Sequence, residues 1–187
     1  MDHFNFLAPW YDRVIQPKDP QKLIAIADLP VEGTILDAGG GTGRIAQVLI
    51  GQAQRVFVSD PSLGMLQQAK PKAGLNLVCS HAENLSFSGK FFERVLMVDA
   101  FHHVCDQILT AQELWRVLMP GGKLVIEEPD IRLLSIKLVA IAEKLALMRS
   151  HFLNPNSIAQ LFPYPIARTR IESEDHNAWI IVDKLGV

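Results

Sequence analysis

From Gly33 to Glu128, short runs of β-branched and aliphatic residues alternate with helix-length stretches. That alternation points to a parallel sheet with helices on both faces. TILDA (34–38), RVFVSD (55–60), LNLVCS (75–80), RVLMVD (94–99) and KLVIEE (123–128) read as strands. Helices are expected over 42–52, over 62–71 with Ser62 as N-cap, and over 106–118 with Asp106 as N-cap, where a short side-chain oxygen can take the first free amides. Residues 20–29, opening on Pro20, read as a short helix before the first strand. RTRIES and AWIIVDK, separated by Glu174 to Asn177, read as an antiparallel hairpin closing one sheet edge. The expectation is one α/β domain over 1–187, seven strands, mostly parallel, with an antiparallel C-terminal hairpin.

Charge and cysteine content narrow what such a domain does. Lys and Arg number 18 against 20 Asp and Glu, so no basic field exists to hold a phosphate backbone, and nucleic acid is not an expected partner. Cys79 and Cys105 form no CxxC pair, which argues against a zinc site or a disulfide framework and suits a reducing, cytoplasmic setting. The start MDHFNFLAPWYD lacks the pattern of a secretory signal, and no apolar run approaches the ~20 residues of a membrane span.

LDAGGGTGRIA (36–46) places Gly39, Gly41 and Gly43 between a strand and a helix, where bare backbone amides can approach a ligand with an adenosine-type body. Gly41-x-Gly43-x-x-Ala46 also satisfies the relaxed dinucleotide fingerprint. Asp37 separates the two readings, because a carboxylate before the glycines repels a pyrophosphate and attracts an amino group. The alternative is a helix-capping Asp under a packing glycine turn. Asp60, 17 residues beyond Gly43, can accept both ribose hydroxyls in either case.

DPSLGML (60–66), HAENLSF (81–87), DAFHHV (99–104) and LMPGGKLVIEEPD (118–130) follow the loop in order. With APWYDRV (8–14) they resemble the Rossmann-like class I S-adenosylmethionine-dependent methyltransferases, most of all the ubiquinone/menaquinone biosynthesis type, over about residues 30–130. The resemblance implies S-adenosylmethionine as cofactor and a fold whose last strand inserts antiparallel. It places the methionine part against Asp37, Ala38, Gly39 and Gly41, the ribose against Asp60 and Pro61, and the adenine face on Met65. His81, Ala82 and Glu83 would edge the adenine ring, Val98 and Asp99 would line the methionine end, and Tyr11 would close over it. The family commonly has Asp where this chain has His81, so the backbone of Ala82 or Glu83 is expected to compensate.

Methyl transfer from a sulfonium is an in-line displacement and needs positioning more than a nucleophile. An acceptor that must lose a proton needs a base, for which His102 and His103 are the candidates, with His151 and His176 weaker. After the fifth strand, Ile131, Leu134, Leu138, Ile141, Leu145 and Met148 recur at helical spacing and read as a core face, while Leu133, Ile136, Val139 and Leu147 fall away from it. In the family this region, here 131–163, covers the acceptor. The surplus apolar surface therefore implies a hydrophobic or aromatic acceptor, a homodimer contact or a peripheral membrane contact. The expected function is methylation of a small molecule. The alternatives are a catalytically idle methyltransferase-like partner protein and a nicotinamide-dependent oxidoreductase, against which stands the lack of a second substrate domain.

Overall fold

The computed structural model describes residues 20–145 and 150–186. Helix α1 (Pro20–Ile26) precedes β1 (Thr34–Ala38), α2 (Arg44–Val48), β2 (Arg55–Ser59), α3 (Leu63–Ala69), β3 (Leu75–Val78) and β4 (Phe92–Val98). A 3₁₀ turn (Phe101–His103), α4 (Gln107–Val117), β5 (Leu118–Pro129), α5 (Leu134–Leu145), α6 (Pro155–Ala159), β6 (Ala167–Glu174) and β7 (Asn177–Lys184) follow. The seven strands lie in the order β3-β2-β1-β4-β5-β7-β6. β1 to β5 are parallel to their neighbours among one another, and β7 runs antiparallel to both β5 and β6. The expected mostly parallel sheet and antiparallel hairpin are therefore both present.

Alternation along the central strands divides the core in two. Leu36, Val95, Met97, Leu124 and Ile126 pack on one face, with Leu114 and Trp115 of α4. Ile35, Leu96, Val98 and Val125 pack on the other, with Leu23 and Ile26 of α1 and Ala46 of α2. Ser62 and Asp106 are N-caps as expected: the Ser62 hydroxyl accepts from the Met65 amide at 3.3 Å, and Asp106 Oδ1 accepts from the Ile108 and Leu109 amides, each at 2.9 Å. α2 is shorter than the pattern suggests, because Gly43 at φ +72° belongs to the turn before it. β5 is longer, since Leu118 already pairs with Phe92 before a register shift lets the Pro120–Gly122 segment through. Turn residues there hide the strand from a reading by propensity.

Helix α5 corrects the expectation made for it. Leu134, Leu138 and Ile141, read as core, are 74%, 61% and 56% exposed, and Ile136, read as surplus, is 8% exposed, while Leu133 is exposed as expected and Val139, Leu145, Leu147 and Met148 lie outside the described side chains. The period was sound and the direction was not, because periodicity tells which residues share a helix face but not which neighbour that face meets. Ile136 lies about 200° around the helix from Leu134 at ~100° per residue, so burying one exposes the other. Among the described residues no helix is long and apolar enough to cross a membrane. Ile136→Ala is expected to cost about 2 kcal/mol in chemical denaturation and Leu138→Ala no more than about 0.5 kcal/mol. The opposite ranking would restore the core assignment made from periodicity.

Candidate functional site

β1 sits between β2 and β4, so the chain leaves it in opposite directions on its two sides. Ligands of open α/β sheets bind at such a switch point, beyond the carboxyl ends of the strands. The glycine turn closes over this point. The Gly39 and Gly40 amides donate to the Ser59 carbonyl at 2.7 and 3.2 Å, which pins the turn to the end of β2. Gly39 has φ +70°, and a Cβ on it would lie 2.7 Å from the Ala100 Cβ in the loop after β4. Two loops thus meet where only a side-chain-free residue fits.

Asp60, at the tip of β2, faces this turn. Its Oδ2 accepts from the Gly41 amide at 2.9 Å and its Oδ1 from the Ser62 amide at 2.8 Å. These two bonds fix the Asp60 carboxylate against the glycine turn. A Cβ on Gly41 would meet only Asp60 Oδ2 and the Met65 sulfur, at 3.8 and 3.9 Å, which leaves ordinary contact space between loop, carboxylate and thioether. The Ser59 and Ser80 hydroxyls hydrogen-bond at 2.8 Å and bring the start of the 81–83 segment beside β2. There His81 is exposed and Ala82 is buried. Glu83 turns away to accept from the Cys105 and Asp106 amides at 2.7 and 3.2 Å, so its side chain serves the start of α4.

Asp37 is fully buried beneath the turn. Its Oδ2 accepts from the Ala46 amide of α2 at 3.2 Å and lies 2.6 Å from where a Cβ on Gly40 would stand. The geometry is that of the helix-capping alternative. Desolvation raises the Asp37 pKa to about 7, against the pull of Arg44 and the Ala46 amide and with the help of Asp60. Arg44 Nη2 meets Asp99 Oδ2 at 3.1 Å. Asp99 itself has φ +51°, a left-handed conformation held by its amide donating to the Glu127 carbonyl at 2.9 Å. Burial, and then the nearby Asp99, pushes the Glu127 carboxyl upward, while Asn177 Nδ2 donates to its Oε1 at 2.6 Å.

The histidines belong to a different arrangement. Glu128, on the opposite side of β5 from Glu127, accepts from the Ala100 and Phe101 amides at 3.1 and 2.8 Å and meets His102 Nδ1 at 2.6 Å. His102 is buried, stacked on Phe152 with centroids 4.2 Å apart, and its carbonyl accepts from the His151 amide at 2.7 Å. Burial and the adjacent His102 push the His103 pKa down to about 3, leaving a neutral ring of low basicity.

The fold therefore gathers Asp37, Ala38, Gly39, Gly41, Asp60, Pro61, Met65, Val98 and Asp99 at the ends of β1, β2 and β4, with His81, Ala82 and Glu83 along the same line. Tyr11 lies outside the described residues. Arg44, Glu127 and Glu128 were missed by the sequence reading. Their signals were a cation in an otherwise uncharged turn and two adjacent acids in a strand read as buried.

The unfolded carboxyl of Asp37 titrates near 3.8 and the folded one near 7, so the folded protein holds a proton that the unfolded chain has lost between these values. Its contribution to stability therefore falls as pH rises from about 4 to 7 and then levels off. Asp37→Asn, which keeps an acceptor for the Ala46 amide, is expected to gain about 1–3 kcal/mol over the natural protein at pH 8, with the difference vanishing toward pH 4 in melting curves. A constant difference across that range would assign no proton to Asp37.

Comparison with known proteins agrees with this geometry. Residues 36–126 match a sequence family described as a methyltransferase domain. The ubiquinone/menaquinone biosynthesis C-methyltransferase UbiE of Coxiella burnetii is 31% identical over 104 residues, which cover 50% of this chain and 42% of that protein. The chain thus aligns with less than half the length of that relative. A chain from the complex between the Haloferax volcanii Trm112 methyltransferase activator and a methyltransferase shares the fold with a TM-score of 0.80 at 17% identity, covering 99% of both chains. A SAM-dependent methyltransferase from Thermotoga maritima superposes with a TM-score of 0.73 at 21% identity, covering 87% of each chain. Residues 36–126, just under half of the chain, thus match a methyltransferase domain, and the seven-stranded fold built around them is shared with solved S-adenosylmethionine-dependent methyltransferases.

Proposed function

We propose that this protein transfers the methyl group of S-adenosylmethionine to a small hydrophobic or aromatic molecule. The observation that carries the reading is electrostatic. Asp37, Asp60, Asp99 and Glu127 gather at the strand ends around Arg44, with Lys72 bound to the Thr42 carbonyl, and burial and mutual proximity push the Asp37 and Glu127 carboxyls upward, so a cationic ligand would favour their ionised forms. Such a site suits a donor carrying an ammonium and a sulfonium and opposes a pyrophosphate. The nicotinamide alternative loses ground accordingly.

In this reading Asp60 holds the ribose hydroxyls, the Gly39 to Gly41 backbone lies along the methionine part with Ala38, and Pro61, Met65 and Ala82 border the adenine. His81 and Glu83 contribute backbone, Val98 and Asp99 form the methionine end, and Asp37 acts from beneath the turn rather than by contact. The bound cofactor supplies an electrophilic methyl group, and the chain supplies its orientation and the exclusion of water. His102 is engaged with Glu128 and His103 is a weak base, so both act by shaping the loop after β4 rather than by taking the acceptor's proton.

S-adenosylhomocysteine is expected to raise the melting temperature, as any ligand of the native state must, by an amount equivalent to about 2.7 kcal/mol at a hundred times its Kd. NAD is expected to leave it unchanged. Asp60→Asn, which replaces one of the two accepting oxygens by an NH2 group, is expected to weaken binding at least about tenfold in calorimetry. Stabilisation by NAD and not by S-adenosylhomocysteine would overturn the reading.

A further inference from the structure

The exposed stripe of α5 has no partner within the described chain, and its surroundings indicate what covers it. Leu134, Leu138 and Ile141, spaced i, i+4, i+7, stand on one side of the helix, 74%, 61% and 56% exposed. Lys137, also exposed, lies about 60° around from Leu134 and flanks the stripe. From 130 to 151 the sequence carries Arg132, Lys137, Lys144 and Arg149 against Asp130 and Glu143, and Arg132 is paired with Asp130. A surplus of two positive charges thus accompanies this segment of a chain whose formal net charge is −2, so the rest of the molecule is acidic.

From this juxtaposition we infer that α5 is an interfacial helix that docks its Leu134–Leu138–Ile141 face on an anionic lipid bilayer. An apolar stripe bordered by cations lies in the plane of the headgroups, with aliphatic side chains at the acyl boundary and lysines among the phosphates. At 12 residues α5 is far short of the ~20 needed to cross, so it rests on the surface. The acidic remainder of the chain is repelled by the same lipids, which orients the protein with this helix toward them. α5 follows directly from the carboxyl end of β5, the end of the sheet at which the glycine turn and Asp60 lie. Docking therefore turns the ligand-binding end toward the bilayer. The inference goes beyond the methyl-transfer reading and does not depend on it.

The test is co-sedimentation of the full chain with vesicles of phosphatidylcholine alone and of an equal mixture of phosphatidylcholine and phosphatidylglycerol, alongside light scattering of the protein without lipid. The natural protein is expected to pellet with the mixed vesicles, much less with phosphatidylcholine, and less as salt is raised. Lys137→Gln is expected to lower the partition about fivefold and Leu138→Glu at least about tenfold. Leu138 is 61% exposed, so Leu138→Glu should retain its melting temperature and its S-adenosylhomocysteine affinity. Absence of sedimentation with either vesicle, or equal sedimentation of Leu138→Glu, overturns the inference. So does a dimer abolished by Leu138→Glu, which assigns the stripe to a second copy. Loss of S-adenosylhomocysteine binding by the natural protein bears on the methyl-transfer reading alone.

Discussion

The contact between Gly39 and Ala100 is the constraint on which the site depends. It brings the loops after β1 and β4 together at the switch point of the sheet, so close that a single added carbon would force them apart. Each loop is held from its far side by a neighbouring strand. The Ser59 carbonyl at the end of β2 takes the Gly39 and Gly40 amides, and the Glu128 carboxylate at the end of β5 takes those of Ala100 and Phe101. Four strand ends are thereby fixed relative to one another by the chain's own contacts.

Charge is distributed around this junction in layers. Asp60 ties the outer rim of the turn to α3, Asp37 supports it from below, and Asp99 and Glu127 line the side toward β5, with Arg44 reaching Asp99. Burial of so many acids in a small volume is costly, and the raised Asp37 and Glu127 pKa values express that cost. A cationic ligand would offset part of it. On the other side of β5, Glu128 and His102 satisfy each other and bind the segment after α5 to the loop after β4, through the His151 amide and the Phe152 ring. The segment after α5 and the loop after β4 are mechanically connected through this pair.

Much of this was legible beforehand. Strand positions followed from β-branched runs, the hairpin from its turn residues, and the caps Ser62 and Asp106 from their chemistry, because these are local effects that act within a few residues. The glycine turn was legible for the same reason, and the structure sets Asp60 against it. The role of Asp37 was harder, since a carboxylate before a glycine turn has two uses, and only its burial and its bond to the Ala46 amide show that it supports the turn. Glu127 and Glu128 are adjacent and look alike, yet strand alternation sends them to opposite faces, one to Asn177 and the other to His102.

By itself the sequence determined the layer architecture, the strand and helix types and the chemistry of the loop, because periodicity, turn residues and capping are written in neighbouring positions. Only the tertiary structure decided which way each amphipathic face looked and which charges met. The stripe of Leu134, Leu138 and Ile141 shows why: a helix carries its pattern wherever it goes, while the surface it faces is built from residues distant in the chain.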